Sequence, residues 1–317
     1  MTFKTEAGAS AARIDPAVPD GVTRDAQGAA GRPRGDAALP LRIASAVVFL
    51  PLFVLAARVG GLVWLAFTLI VIGLGLREFY RMMESKGLAP HWKSGTFAGL
   101  LLPVGTYLRL QTGRTAEWNL GALFTVLAGA ILLAELRRGA GKQAVGSIAA
   151  TLLGVVYLGW FGSHIELLRE LPRAWRLPYA LGASFAILPF FLVWICDTAA
   201  YAVGLAFGRT RLMPDVSPQK SVEGAVAGLL AAVGAAFAAR AWFAPYLTAL
   251  DAAVLGTLVG VLGQLGDLVE SLLKRDADAK DTSRIIPGHG GVLDRFDSVL
   301  FAAPVTAYYL LFRVLDR

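Results

Sequence analysis

Apolar runs of about 20 residues recur between residues 42 and 314, and they limit what this chain can fold into more than any other feature. A helix needs roughly that length to cross the hydrocarbon layer of a membrane. The 317 residues are 56% hydrophobic and only 17% charged, whereas soluble domains carry about a quarter charged residues. The expected fold is an all-α polytopic membrane protein. Helices are predicted near 42–58, 61–78, 95–111, 117–135, 144–164, 179–207, 223–243, 251–274 and 292–314, about nine in all. The break between the first two rests on "RVGG" alone. Residues 1–40, rich in Gly, Pro, Ala and Asp, are expected to form a disordered tail without a secretory signal. Residues 41–175 form an N-terminal set of membrane helices and 176–317 a C-terminal set that carries the polar chemistry.

The single cysteine, Cys196, excludes an intramolecular disulfide framework and a multi-cysteine zinc site. Lying in an apolar run, it reads as a small buried hydrophobe. The three histidines are too dispersed for a metal cluster. A net charge of +7 is explained by basic cytoplasmic loops beside an anionic leaflet, without nucleic acid as a partner. With the N-terminus inside, "REFYRMMESKG", "ELRRGAGKQ", "GRTRLMPDVSPQK" and "KRDADAKDTSR" fall on the cytoplasmic side. The outer "RELPRAWR" is also basic and runs against that bias. The two polar loops of the C-terminal half, around 209–221 and 274–290, share the cytoplasmic face.

Charged side chains at membrane depth cost roughly 2.5–3.5 kcal/mol each on insertion scales, so they mark polar interiors. Three sets occur in the last four helices. In "CDTAAYAVGLAFG", Asp197, Tyr201, Gly204 and Gly208 share a helical face, either as a small-residue packing seam around a buried acid or as a site wall. In "GQLGDLVESLLKR", Gly263, Asp267, Glu270 or Ser271, and Lys274 share another. In "DRFDS", Asp294, Asp297 and Ser298 line the start of the last helix, where the macrodipole favours carboxylates. Acids from separate helices beside basic loops suit a hard cation with oxygen ligands, and magnesium shares such carboxylates with substrate phosphates. The turn Gly288–Gly291 and the segment holding Ser217, Lys220 and Ser221 each precede a helix whose N-terminus could receive an anion. Lys274, Arg275, Lys280, Arg284 and Arg295 supply positive charge. His289 reads as a turn residue hydrogen-bonding its loop; His91 and His164 read as structural.

"SLLKRDADAKDTSRIIPGHGGVLDRFD", Ser271 to Asp297, resembles the signature of the phosphatidate cytidylyltransferases throughout its length. The pattern is Ser-x-apolar-Lys-Arg, four residues, Lys-Asp, then Pro-x-His-Gly-Gly-x-x-Asp-Arg-x-Asp. "DTAAYAVGLAFG" and "SPQKSVEG" are similar to two further family segments, with Ser221 where Thr is commoner. The resemblance covers 190–300 closely, the N-terminal helices in pattern only, and the tail not at all.

The resemblance implies CTP-dependent conversion of phosphatidate to CDP-diacylglycerol and pyrophosphate, with Mg2+ and a companion monovalent cation such as K+. It implies a multi-pass protein of the cell inner membrane whose site faces the cytoplasm, and it is compatible with a homodimer. Asp267 and Asp294 correspond to the acids that hold the metal pair. On that basis Lys220, Lys280 and Arg295 contact phosphates. Ser217, Ser221, Lys274, Arg275, His289, Gly290 and Gly291 shape the substrate site. Asp197, Asp281 and Asp297 orient those groups or touch a further cation. An ion-coupled transporter would instead place its acids near the midplane in repeat-related helices; here they crowd toward one face.

Overall fold

The computed structural model describes residues 47, 49–112, 117–139, 143–279, 281–283 and 290–315. The tail expected over residues 1–40 therefore lies outside the described residues. Nine helical segments occur among those that are described: α1 Phe49–Val59, α2 Gly61–Ser85, α3 Trp92–Gln111, α4 Glu117–Arg138, α5 Ala144–Ala174, α6 Leu181–Phe207, α7 Val222–Trp242, α8 Ala249–Asp276 and α9 Leu293–Tyr309. Five of them, α2, α5, α6, α7 and α8, are long and apolar enough to cross a membrane. The chain is a multi-pass α-helical membrane protein. The α-helical part of α9 has 17 residues, a rise of about 26 Å, and runs on as a π-helix over Leu310–Val314.

Among the described residues the strands that depart from an all-helical reading form a small antiparallel hairpin, β1 Arg211–Met213 with β2 Ser217–Ser221. Arg211 pairs with Ser221 and Met213 with Ser217, with an irregularity between them. The hairpin runs directly into α7. Ser221 caps that helix, its hydroxyl oxygen accepting from Gly224 N at 3.1 Å. Helix α8 starts at a capping box in which Thr248 Oγ1 accepts from Asp251 N at 3.1 Å and Asp251 Oδ2 from Thr248 N at 2.8 Å.

The α1–α2 break is set by Gly60 and Gly61, both with positive φ (65° and 56°), where other residues would be strained. Helix α5 clasps it. The buried Arg169 donates through Nε to Ala57 O at 2.5 Å and through a terminal nitrogen to Arg58 O at 3.1 Å, satisfying carbonyls at the end of α1. Glu170 Oε1 accepts from Gly61 N (2.9 Å) and from the Tyr179 hydroxyl (2.6 Å), while its other oxygen accepts from Arg173 Nε (2.6 Å). Burial and the neighbouring Glu170 carboxylate hold the Tyr179 phenol above its ordinary pKa, so it stays a donor. Two arginines of the "RELPRAWR" segment are thus committed to this clasp, and most of the segment, read from sequence as an outer loop, belongs to α5.

Water-driven burial is weak between helices in lipid, so close packing has to hold them. Small residues supply it: a Cβ added at Gly228 of α7 would lie 3.0 Å from Cys196 O of α6, and one at Gly256 of α8 would lie 2.7 Å from Val233 Cα of α7. Phe53, Trp64, Phe190, Leu255 and Val299 belong to one buried cluster drawn from α1, α2, α6, α8 and α9. A second cluster includes Leu76, Phe79 and Tyr80 of α2, Leu158 of α5, and Leu293 and Leu300 of α9. It packs around the start of α9, where the charged loops converge.

Candidate active site

Two helices bring the acids together. Gly266 of α8 abuts α9: a Cβ there would lie 2.8 Å from Asp297 O. That approach lets Asp267 and Glu270 of α8 meet Asp297 of α9, and one carboxylate oxygen from each lies within 4.8 Å of the other two. Glu270 and Asp297 are buried, and Asp267 is half-buried. Cations surround the group. Lys220 Nζ at the end of the hairpin is 2.7 Å from Asp267 Oδ2. Lys274 Nζ is 2.6 Å from Glu270 Oε2 and 2.8 Å from Asp294 Oδ1. Asp197 is exposed on α6 and interacts electrostatically with Asp267, Lys220 and Arg295. Three close carboxylates offer only oxygen ligands, which suits a hard divalent ion.

Asp294 has a different setting from the other acids. Its Oδ2 accepts from Gly291 N (2.7 Å), Thr282 N (3.2 Å) and the Thr282 hydroxyl (3.0 Å), while Oδ1 faces Lys274. The structure therefore joins Asp267 to Glu270 and Asp297, and connects Asp294 to them through Lys274. Gly290 has φ +82°, and a Cβ on it would lie 2.8 Å from Asp294 Oδ2. Of the turn expected to face an external anion, Gly288 and His289 lie outside the described residues; Gly291 N already serves Asp294, and Val292 N and Leu293 N just beyond the turn serve Glu78.

The remaining expected residues divide as follows. Ser217 begins β2, and Arg275 Nε holds that hairpin by donating to Val216 O at 3.3 Å. The Ser221 hydroxyl oxygen is engaged as the α7 cap, against Gly208 just past the end of α6, where a Cβ would lie 2.7 Å from it. Gly204 and Gly208 thus form the packing seam, while Tyr201 is exposed. Asp281 and Arg295 are exposed. Lys280 and His289 lie outside the described residues, as does Arg284. His91 Nε2 bonds Glu135 Oε2 at 2.5 Å and His164 Nδ1 bonds Trp160 O at 2.8 Å.

Two residues beside the site carried no signal in the sequence. Glu78 of α2 is buried, and its partners are more than 200 positions away. Tyr157 lies on a π-helical segment of α5, Val155–Trp160, a distortion frequent at functional sites. Its buried hydroxyl has no hydrogen-bond partner among the described residues, and Asp297, Glu270 and Asp267 are its electrostatic neighbours.

Comparison with known proteins places this arrangement. The model of the cytidylyltransferase family matches residues 40–313. A phosphatidate cytidylyltransferase of Synechocystis is 35% identical over 85% of this chain and 96% of its own length. Those of Bacillus subtilis (32%, covering 85% of this chain and 94% of its own length) and Staphylococcus saprophyticus (29%, covering 86% and 99%) align over a similar span. Because the match runs through the N-terminal helices as well as the charged motif, the chain belongs to the cytidylyltransferase family and is a nucleotidyltransferase.

Proposed function

We propose that this protein transfers CMP from CTP to phosphatidate, giving CDP-diacylglycerol and pyrophosphate, at the cytoplasmic face of the cell inner membrane and with Mg2+. The observation that carries this reading is the convergence of Asp267, Glu270 and Asp297 beside Lys220 and Lys274 in a membrane chain whose relatives bear that name.

The all-oxygen donor set fits magnesium. Asp267, Glu270 and Asp297 would hold it, and Asp294 would join them by exchanging Lys274 for the ion. When bound, the ion neutralises charge that builds on the transferred phosphate. The acids also provide enough negative charge for a companion monovalent cation such as K+. The phosphate of phosphatidate is already anionic, so its attack on the α-phosphorus of CTP needs neither a strong base nor a covalent intermediate. Positioning and electrostatics supply the catalysis. Lys220, Arg295 and Lys280 would contact phosphates, with Ser217 and the Gly290–Gly291 turn shaping the nucleotide side. The acyl chains would enter laterally between helices from the bilayer.

The test is incubation of the detergent-solubilised protein with phosphatidate, Mg2+ and CTP labelled either in cytidine or at the γ-phosphate. Cytidine label appearing in lipid, with γ-label released as pyrophosphate, is the expected result. Label entering lipid only from the γ-phosphate would make the protein a CTP-dependent lipid kinase instead, and no transfer of either label would end the proposal.

A further inference from the structure

Helix α9 begins without a side-chain cap from its own N-terminal residue Val292. The cap comes from a distant part of the chain. Glu78, two turns before the end of α2, is 1% exposed and receives four hydrogen bonds. Oε1 accepts from the Ser283 hydroxyl (2.5 Å) and Val292 N (3.0 Å). Oε2 accepts from Leu293 N (2.8 Å) and the Thr282 hydroxyl (3.1 Å). The same Thr282 hydroxyl lies 3.0 Å from Asp294 Oδ2, so one proton is shared between the carboxylate from α2 and that of α9. Gly291 makes the approach possible: a Cβ there would lie 2.6 Å from Glu78 Oε2.

Glu78 is itself held rigidly. Phe79 and Tyr80 beside it are buried, and the Tyr80 hydroxyl donates to Thr151 O of α5 at 2.9 Å. At the same end of the bundle Lys86, just past α2, pairs with Asp276 at the end of α8. The N-terminal helices thus do more than fill the membrane: α2 fixes both flanks of the 282–293 segment and, through Thr282, the carboxylate of Asp294. Buried carboxylates collecting several donors orient their neighbours strongly.

We propose that Glu78 is a positioning residue for the transfer reaction, clamping Thr282, Ser283, Val292 and Leu293 so that Asp294 meets the site in working geometry. This rests on the cytidylyl-transfer reading above. Its test uses the full chain reconstituted in phosphatidate-containing vesicles, comparing wild type, Glu78→Gln and Thr282→Val. Glu78→Gln keeps the shape but places an amide N–H against a donor. It is expected to lower kcat about 10- to 100-fold with KM for phosphatidate unchanged, and to speed hydrogen exchange at the Val292 and Leu293 amides. Thr282→Val leaves the Glu78 bonds to those amides in place, so their exchange should stay slow while kcat falls about tenfold. A Glu78→Gln protein with wild-type kcat overturns the proposal even if exchange is faster, because the clamp would then be structural only. Should Glu78→Gln fail to fold, a wild-type kcat in Thr282→Val overturns it instead. An inactive wild type would count against cytidylyl transfer, whereas slow exchange that Glu78→Gln leaves unchanged would count against the clamp.

Discussion

Lys220 and Asp267 are joined across the hairpin and α8 by a 2.7 Å ion pair in which both side chains remain about one-third open to solvent. A half-open pair beside a substrate phosphate can exchange partners at little cost, since exposed ion pairs contribute about 1 kcal/mol or less. Lys220 is therefore free to turn from Asp267 to a nucleotide phosphate. Lys220→Ala is expected to raise KM for CTP about tenfold or more, the usual loss for a charged hydrogen bond, with thermal stability little changed. Steady-state kinetics with CTP varied will show this, and unchanged KM and kcat would remove Lys220 from the site.

The acids should separate by role. Asp267→Asn and Asp297→Asn each remove a charge from the convergent group of three and are expected to lower turnover about 10³-fold while the protein still folds. Asp294→Asn should do the same if Asp294 exchanges Lys274 for the ion. Turnover in membranes containing phosphatidate measures all three. Near-normal turnover in Asp294→Asn, with Asp267→Asn and Asp297→Asn inactive, would confine the cation to the group that includes Glu270.

The hairpin depends on its helix cap. Ser221→Ala leaves Gly224 N without its acceptor and is expected to cost about 1 kcal/mol, seen as a lower melting temperature in detergent. Ser221→Thr keeps the oxygen and should melt above the alanine variant. If both variants melt like wild type, the cap contributes nothing to stability.

The helices could be found from sequence because apolar runs recur, five of them long enough to cross a membrane, and lipid leaves the backbone no better option than a helix. Even the "RVGG" break is real, since paired glycines with positive φ end α1 there. The acids of α8 and α9 stood out because acids are rare at membrane depth and fall at helical spacing, but the expected metal pair was Asp267 with Asp294, whereas the close group is Asp267, Glu270 and Asp297. Glu78 did not stand out: in "REFYRMMESK" it looks like one more charge at a basic helix end, and its donors lie 204 to 215 positions away. For the same reason the turn before α9 could be recognised as a source of N–H donors, but the internal acceptors of Gly291, Val292 and Leu293 could not. The hairpin was hidden by its length, three and five residues, and by Pro214 and Pro218, which argue against a strand.

Lys274 bridges carboxylates of two helices at the site. It is largely buried, between Glu270 four residues before it on α8 and Asp294 on α9. A carboxylate as deeply buried as Glu270 is tolerated only with a partner, and removing one member of a buried pair costs about 3–5 kcal/mol because the other is stranded. Lys274→Met is therefore expected to destabilise the protein by about that amount. Adding Glu270→Gln removes the stranded charge and should recover much of the loss, the non-additivity expected of groups in contact. Thermal denaturation of both single variants and the double variant completes the cycle. Additive losses would show that Lys274 and Glu270 do not depend on each other, and that the charge balance at the base of the site comes from Asp294 alone.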